Sequence, residues 1–434
     1  MTILVVGFMV VGVLWLAFAL GLRNPAILIP LLVGGALRVG IALVGWHAVA
    51  LPYSTSDAVG FERGAWRMAS NGWSAVLDGL NPVTGFSYVA PFAAVYATVG
   101  RVPHALLLYN AFLGVIVIAL VYRIGLALGG KKVGIASAYV MAIFPASILM
   151  SSVILRESAV AFGVALGMFG LIEADRKKSA GHLVIGVLGL VWAAVHHGGV
   201  VFPAVLTLLV FTVGRWRTSV EGGRVHVPTL TAAVVAIVIL VGASALLAPG
   251  QLRLASVGVI NFETVEREVI SDAPREARGG SSYYGGTTTE SWGQAVRQLP
   301  GRVTLFMVSP LPWTVRSANQ VAGLVDGLLW GFALLLFVKY RKVIWRDPRA
   351  RILLFFLALA VTTYALGTTN AGTALRHRTK FAPALIPLAV FALMAGQAWL
   401  GGNRRPGSMS EATDQQSVHL DPSGRRTTSM ARPW

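Results

Sequence analysis

Apolar stretches long enough to cross a bilayer alternate with short polar segments along most of this 434-residue chain. A membrane-spanning α-helix needs roughly 20 predominantly apolar residues. The pattern predicts about 11 spanning helices, with one more or one fewer also compatible with it. They are placed at Ile3–Gly21, Ala26–Trp46, His104–Tyr122, Val133–Ser151, Ser158–Leu171, His182–His196, Val200–Val213, Thr229–Leu247, Gln320–Phe337, Ile352–Leu366 and Phe381–Leu400.

Composition agrees with this pattern. The chain is 55% hydrophobic and 12% charged, with a mean hydropathy of +0.69, which excludes an ordinary soluble protein. We therefore predict an all-α, multi-pass protein of the cell membrane. Met1–Leu20 has no basic leading region and no cleavage signal, so it is interpreted as a retained helix rather than a signal peptide. The absence of cysteine excludes disulfides and thiolate chemistry.

Basic residues are concentrated in four connecting loops: Arg123–Lys132, Arg176–Lys178, Arg215–Arg224 and Lys339–Arg351. Because loops rich in Lys and Arg usually stay in the cytoplasm, these four are assigned to the inner side. With 11 spans, the N-terminus is then external and the C-terminus internal. This distribution also explains the net charge of +18 without nucleic acid, which we do not expect as a partner.

Two predicted external loops are too long to be simple connections. The first, residues 47–101, contains the apolar stretch Phe86–Val99, which is interrupted by Pro91 and predicts a helix lying on the membrane surface. The second, residues 248–317, ends in Leu305–Trp313, which we expect to re-enter the interface. Residues 1–400 are predicted to form the membrane domain and residues 401–434 a disordered, basic cytoplasmic tail.

The predicted outer surface collects ionisable residues from distant parts of the chain. Cations at a membrane boundary can hold a lipid phosphate, and a nearby carboxylate can accept a proton from an attacking hydroxyl or amine. Asp57 is the candidate base in this scheme. The candidate substrate-binding residues are Glu62, Arg63, Arg156, Glu157, His196, His197, Arg376, His377 and Arg378.

Each candidate also has a structural interpretation. Asp57 follows Ser54-Thr55-Ser56 and is well placed to cap a helix that starts near Ala58. Arg156 and Glu157 are compatible with a simple ion pair at a helix start. Arg376, His377 and Arg378 are compatible with flanking charge, although basic residues on an external turn run against the orientation trend.

Two further polar features are less informative. His196 and His197 lack a third ligand at helical spacing, so hydrogen bonding or lipid contact is favoured over metal binding. Arg38 lies inside the second predicted span and therefore needs a partner or a path to the interface. No metal and no cofactor are expected.

Several short motifs resemble the GT-C glycosyltransferases, which are membrane enzymes that use polyprenyl-phosphate-linked sugars. Ser56-Asp57-Ala58 with Phe61 and Ala65 is similar to their first-loop pattern, although bacterial members usually have Tyr where this chain has Phe61. The family includes family-39 protein mannosyltransferases and bacterial aminoarabinose transferases. The order of later motifs is also similar: Pro91-Phe92, Gly100, Gly129-Gly130-Lys131-Lys132, Phe144-Pro145-Ala146-Ser147, Ser151–Glu157, Asn370–Arg378 and Pro383. The motif Pro310-Leu311-Pro312-Trp313 resembles one in related polysaccharide-cluster proteins.

The resemblance spans about residues 26–400 and implies a GT-C-like fold with interfacial helices in the first external loop. It also implies that Asp57 is the general base and that Arg156, Arg376 and Arg378 bind the lipid phosphate. The paired acids of many members are absent, because Ala58 follows Asp57 and Glu62 is not an obvious substitute. This departure argues against a metal-dependent version.

The expected function is therefore transfer of a sugar from a polyprenyl-phosphate carrier to a lipid, glycan or protein acceptor, with inversion, at the outer face of the cell membrane. Three alternatives stay open from the sequence, one of which is a non-catalytic membrane scaffold. A polymerase or ligase of lipid-linked glycans would also present external Arg and His to a lipid phosphate. A lipid or solute transporter is less compatible, because no internal repeat is visible.

Overall fold

The computed structural model describes residues 2–55, 57–80, 87–221, 291–315, 318–368 and 370–403. This part of the chain is 88% helical and contains no β-strand. Its helices, in chain order, are α1 (Thr2–Arg23), α2 (Leu28–His47), α3 (Asp57–Ser70), α4 (Trp73–Gly79), α5 (Ala90–Val99), α6 (His104–Ile143), α7 (Pro145–Met150), α8 (Glu157–Lys177), α9 (Ala180–His196), α10 (Val201–Glu221), α11 (Trp292–Val308), α12 (Ala318–Lys339), α13 (Arg341–Arg346), α14 (Pro348–Gly367) and α15 (Ala371–Asn403).

Eight of the helices in the described residues are long and apolar enough to cross a membrane. The prediction of an all-α, multi-pass membrane protein is therefore confirmed, whereas the count of 11 is not. The predicted span His182–His196 is an apolar helix of 17 residues, too short to be counted among the eight. The predicted span Thr229–Leu247 lies outside the described residues.

The longest element, α6, contains two of the predicted spans. Gly129 and Gly130 depart from helical geometry inside it, and Gly130 has a φ of +79°, which favours glycine. Beyond this break the chain doubles back, because a Cβ on Gly125 would lie 3.0 Å from the Cα of Gly134. The two parts of α6 therefore pack against each other, as expected for His104–Tyr122 and Val133–Ser151 as separate segments.

The second part of α6 ends at Ile143, earlier than the predicted limit at Ser151. Pro145 cannot donate the backbone hydrogen bond that a continuing helix requires, so the chain breaks at Phe144 and restarts as the short helix α7. Ser151 and the next residues then form a turn that leads into α8. The turn ends at Arg156 and α8 begins at Glu157, so two candidate site residues lie where the turn meets the helix.

The first predicted external loop contains three short helices, α3, α4 and α5. Pro91 occupies the first turn of α5, where its missing N–H is not needed by the helix. Within the apolar stretch Phe86–Val99 the helix begins at Ala90, so Pro91 opens it and Gly100 follows its last residue. The location of α5 on the membrane surface stays a prediction.

Helices α6, α8 and α15 form the centre of the bundle, and α15 also packs against α12 and α14. Helix α9 lies along α8 at very short range, because Gly163, Gly167 and Gly189 line their contact. Small residues allow close backbone approach, which drives helix association where the hydrophobic effect between helices is weak. Because α15 packs in the centre, its N-terminal turns lie close to the start of α8.

Several arginines bind the last carbonyl groups of a neighbouring helix. These carbonyls have no partner within their own helix and carry the negative end of its dipole. Arg38 donates to the carbonyls of Met141 and Ala142 at the end of the second part of α6 (3.3 and 3.1 Å), and to the Ser147 hydroxyl (3.0 Å). Arg38 has thus found the partners that its position in a predicted span requires. The same kind of contact joins Arg302 to Leu366 O and Arg378 to Met307 O. Arg215 donates to Ala174 O near the end of α8, a carbonyl that also accepts from the backbone N–H of Lys178.

The predicted re-entrant segment Leu305–Trp313 is divided between the end of one helix and the start of another. Helix α11 continues to Val308, and a short 3-10 helix follows at Pro312–Thr314. Its placement in the interface stays a prediction. Most of the long external loop (residues 248–290) and residues 404–434 of the predicted tail lie outside the described residues.

Candidate functional site

Arg376 joins two carboxylates that are 100 residues apart in sequence. Its Nη1 donates to Asp57 Oδ2 at 2.6 Å, and its Nε donates to Glu157 Oε1 at 2.9 Å. The Nη2 group also lies 2.9 Å from Glu157 Oε1. The structure therefore brings together the first residue of α3, the first residue of α8 and the second turn of α15.

The position of Arg376 follows from how α15 begins. The Asn370 side chain accepts from the backbone N–H groups of Gly372 and Thr373 (2.7 and 3.4 Å), as a helix-capping residue does. This contact fixes the start of the helix in the segment 370–378 that the sequence singled out. Arg376 then lies on the face that looks toward α3 and α8.

The segment that carries Glu157 is held by Asn110 of α6. The Asn110 amide donates to the carbonyls of Val153 and Leu155 at 2.7 and 2.8 Å. Tyr88 donates to the Asn110 side-chain oxygen at 3.2 Å, so the whole arrangement is fixed from the first loop. The backbone carbonyls of this turn are thereby satisfied, and Glu157 is presented in a defined orientation.

The two carboxylates differ strongly in exposure. The Asp57 side chain is 56% exposed, whereas that of Glu157 is 1% exposed and that of Arg376 19%. In the described part of the chain, Glu157 Oε2 has no hydrogen-bond partner. Asp57 is thus accessible to a ligand, and Glu157 anchors Arg376 from behind. The sequence favoured Asp57 as the cap of a helix starting near Ala58; α3 begins at Asp57 itself, and the carboxylate contacts Arg376.

Arg156 lies beside the triad formed by Asp57, Glu157 and Arg376. Its guanidinium is stacked over the ring of Phe61, 5.8 Å from the ring centre. Burial lowers the pKa of Arg156, and the charge of Glu157 opposes that shift. The ion pair predicted between Arg156 and Glu157 is replaced by the pair of Glu157 with Arg376. Arg156 therefore brings a second guanidinium close to the exposed Asp57 side of the site.

Behind the triad lies a cluster of buried rings and one lysine. The Tyr364 hydroxyl and His197 Nδ1 are 2.7 Å apart, and Lys380 Nζ lies 2.8 Å from His377 Nδ1. The His377 ring packs edge-on against both Tyr364 and His197. Burial, with a contribution from Lys380 and Arg156, lowers the pKa of His197 well below its usual value, so this imidazole is neutral. The cluster forms the buried wall of the site.

His196 bonds back to its own helix. Its Nδ1 lies 2.9 Å from the carbonyl of Trp192, and its ring packs against the Trp192 indole. These are the contacts of a residue closing the end of α9. Among the described residues, no group of three or more His, Cys, Asp or Glu is arranged to hold a metal ion.

Arg378 lies elsewhere in the bundle. It pairs with Asp326 of α12 at 2.7 Å, with both side chains fully buried, and donates to Met307 O at 2.6 Å. Arg378 follows Arg376 by two positions, which is about 200° around an α-helix. Its contacts are therefore with α11 and α12 and not with the Asp57 triad.

Glu62 and Arg63 lie one turn further along α3. Glu62 forms a two-point ion pair with Arg101, at 2.8 and 2.6 Å, and accepts from the Tyr96 hydroxyl at 3.3 Å. Arg63 is exposed and lines a cavity together with Glu62. The second carboxylate near Asp57 is accordingly Glu157, which is distant in sequence, and not Glu62.

Sequence reasoning missed three residues that organise this region: Asn110, Asp326 and Tyr364. Asp326 had a clear signal, because an ionisable residue inside an apolar span calls for a buried partner. Tyr364, near the end of the predicted span Ile352–Leu366, gave a weaker one. Asn110 gave a similar weak signal, since a buried amide requires hydrogen-bond partners.

The site and one of the basic loops lie at opposite ends of α8. This helix begins at Glu157 and carries Arg176 and Lys177 in its last turn, which corresponds to a separation of about 30 Å. The separation is close to the thickness of the hydrocarbon core. The placement of the site on the outer face stays a prediction based on loop charge.

Comparison with models of known protein families finds no match for this chain, and no curated protein sequence matches it significantly. The function proposed for this chain therefore rests on the arrangement of residues in the site.

Proposed function

We propose that this chain is a membrane glycosyltransferase that moves a sugar from a polyprenyl-phosphate carrier to the hydroxyl of an acceptor. The observation that carries the proposal is the bridge from Arg376 to Asp57 and Glu157. It combines an accessible carboxylate, a guanidinium that can change partners and a buried carboxylate that holds the guanidinium in place.

Each charged group of the site has a defined role in the proposed transfer reaction. Asp57 takes the proton from the acceptor hydroxyl, and the oxygen attacks the anomeric carbon from the side opposite the phosphate. The bond between that carbon and the phosphate oxygen breaks, and the phosphate leaves on its lipid with the electron pair. Arg376 and Arg156 stabilise the negative charge that develops on the leaving phosphate. Stabilisation of such charge is usually the largest single contribution to catalysis.

The partial exposure of the pair between Arg376 and Asp57 supports a change of partner during the reaction. A phosphate that enters between the two side chains replaces one Arg376 contact with another of the same kind, because guanidinium binds phosphate and carboxylate in similar geometry. Asp57 is then released next to the sugar. Glu157 is buried and keeps its contact with Arg376 throughout.

The buried wall of Tyr364, His197, His377 and Lys380 supports the same scheme from behind the triad. Its rings and neutral imidazole close that side with packed groups. Exclusion of water protects a reactive anomeric centre from hydrolysis and strengthens the electrostatic contacts. Arg378 has no direct task in this scheme.

Replacement of Asp57 by Asn tests the proposal, with transfer from a labelled polyprenyl-phosphate sugar measured in membranes. A general base contributes about 10²–10⁴-fold to the rate, so transfer should fall by that factor. Asp78→Asn, at an exposed position in α4, is the matched control and should retain full transfer. Full activity of Asp57→Asn in a folded protein would remove the base from this mechanism.

A further inference from the structure

A second feature of the first-loop region is a cavity of about 520 Å³ beside α3. It is bounded by the end of α2 and the following loop, by the first turns of α3 and by the turn at residues 152–154. Its volume is within the range of small-molecule sites. The cavity is separate from the Arg376 triad, since neither Arg376 nor Glu157 lines it.

One part of the cavity wall is apolar. Trp46, Val49 and Leu51 come from the end of α2 and the loop that follows, and Leu107 and Ile154 come from α6 and the turn before α8. Val49 is 61% exposed and Trp46 44%, so this wall offers uncovered apolar surface. Such a surface gains free energy by accepting a hydrocarbon chain.

The other part of the wall is cationic. Arg63 and Arg101 line it together with a single carboxylate, Glu62. The two hydrogen bonds from Arg101 neutralise Glu62, which leaves the charge of Arg63. Arg63 is exposed, and among the described residues it has no hydrogen bond or ion pair. His47, Ser54 and Ser152 also line the cavity, and each already has a hydrogen-bonding partner.

The cavity and the candidate base share one helix. Ala58, Val59, Glu62 and Arg63 line the cavity, and Asp57 is the residue before them. Arg63 lies about 9 Å from Asp57 along the helix axis. The two side chains also differ by about 120° around the helix axis, so a ligand anchored at Arg63 has to extend around α3 to bring a hydroxyl toward Asp57.

We infer that this cavity binds an amphiphile that carries a phosphate group, with the phosphate on Arg63 and a short length of its apolar chain on the wall formed by Trp46, Val49 and Leu51. Its assignment to the acceptor rests on the proposed function, in which Arg156 and Arg376 hold the donor. The phosphate can belong to a lipid headgroup or to a soluble ester, and both offer the same chemistry to Arg63.

Isothermal titration calorimetry of the full chain in nanodiscs tests the inference, with empty nanodiscs as the blank. The probes are hexyl phosphate, butyl phosphate, inorganic phosphate and hexanol. Hexyl phosphate should bind more tightly than butyl phosphate, by roughly fourfold for each methylene that becomes buried. Inorganic phosphate and hexanol should each bind at least about tenfold more weakly than hexyl phosphate, because each lacks one of the two contacts.

Arg63→Gln should weaken the binding of hexyl phosphate by about tenfold or more and leave the binding of hexanol unchanged. Arg67→Gln, also exposed on α3 but outside the cavity lining, is the matched control and should bind like the unaltered protein. Arg63→Lys keeps the charge and should bind within a few-fold of it.

Equal binding of inorganic phosphate and hexyl phosphate would overturn the inference in favour of a free-phosphate site. If Arg63→Gln and Arg67→Gln weakened the binding of hexyl phosphate equally, general surface charge would explain the binding. If hexyl phosphate did not bind at all, the proposed site would not exist. None of these measurements depends on sugar transfer. Binding with the expected pattern in a protein that transfers no sugar would contradict the proposed function alone.

Discussion

Arg376 and Arg378 are two arginines on the same helix with opposite surroundings. Arg376 is 19% exposed and divides its contacts between an open carboxylate, Asp57, and a buried one, Glu157. Arg378 is fully buried and pairs with a single buried carboxylate, Asp326. Two positions along a helix turn a side chain by about 200°, so the sequence places equal charges into unequal environments.

The difference shows which of the two can take part in binding. A partly exposed guanidinium with two partners can exchange one of them for a ligand at small cost. A fully buried pair cannot, because either charge left alone in the interior carries a large desolvation penalty. Arg378 also binds the terminal carbonyls of α11, as Arg38 does for α6, which is the contact of a residue that joins helices.

The largest expected effect is on stability at the buried pair. Arg378→Met should lower the free energy of unfolding by about 3–5 kcal/mol, because Asp326 is left as an unpaired buried charge. Unfolding in detergent, followed by tryptophan fluorescence, measures this change. The double variant Arg378→Met with Asp326→Leu should recover much of it, since no charge then remains. A single variant as stable as the unaltered protein would contradict a structural role for Arg378.

The next effect is on activity at the exposed pair. Arg376→Gln should reduce sugar transfer by about 10²–10³-fold, because a group that stabilises the charge of the leaving phosphate is lost. Its unfolding should change less than that of Arg378→Met, since glutamine can still donate to Glu157. Arg376→Lys should give an intermediate rate, because lysine retains the charge without the two-point geometry. If Arg376→Gln lost stability but no activity, the comparison would be reversed.

A smaller effect is expected at Glu157, which positions Arg376. In Glu157→Gln, the amide oxygen still accepts from Arg376, but the negative charge that anchors the guanidinium is gone. We expect transfer to fall by about tenfold, with most of the change in the KM for the lipid-linked donor and a nearly unchanged unfolding midpoint. Steady-state kinetics at varied donor concentration separate KM from kcat. A large loss of stability without a change in KM would assign Glu157 to the fold alone.

The helical architecture could be predicted from the sequence, because spans and loops are local properties of composition. Apolar segments of bilayer length identify helices wherever they occur, and the predicted limits of α2 and α12 are within two residues of those observed. Local chemistry also set several boundaries, including the break at Phe144 before Pro145 and the turn at Gly130. The exact count of spans could not be predicted as well, since α9 is 17 residues long and one predicted span lies outside the described residues.

The candidate site could be predicted only as a list of residues on one side of the membrane. The sequence identified Asp57, Glu157 and Arg376 as members of that list, but it grouped Arg376 with Arg378 and Glu157 with Arg156 because they are adjacent in the chain. Adjacent side chains on a helix point in different directions, and the partner of each is chosen by the helix that packs against it.

The sequence by itself determined that this chain is a bundle of apolar helices joined by charged loops, because the bilayer imposes length and charge rules on each segment separately. Only the tertiary structure decided which of those residues meet. The packing of α15 against α8 brings Arg376 to Glu157 and Asp57, and the packing of α15 against α12 buries Arg378 with Asp326. Long-range contacts of this kind depend on how whole helices pack, and no local pattern encodes them.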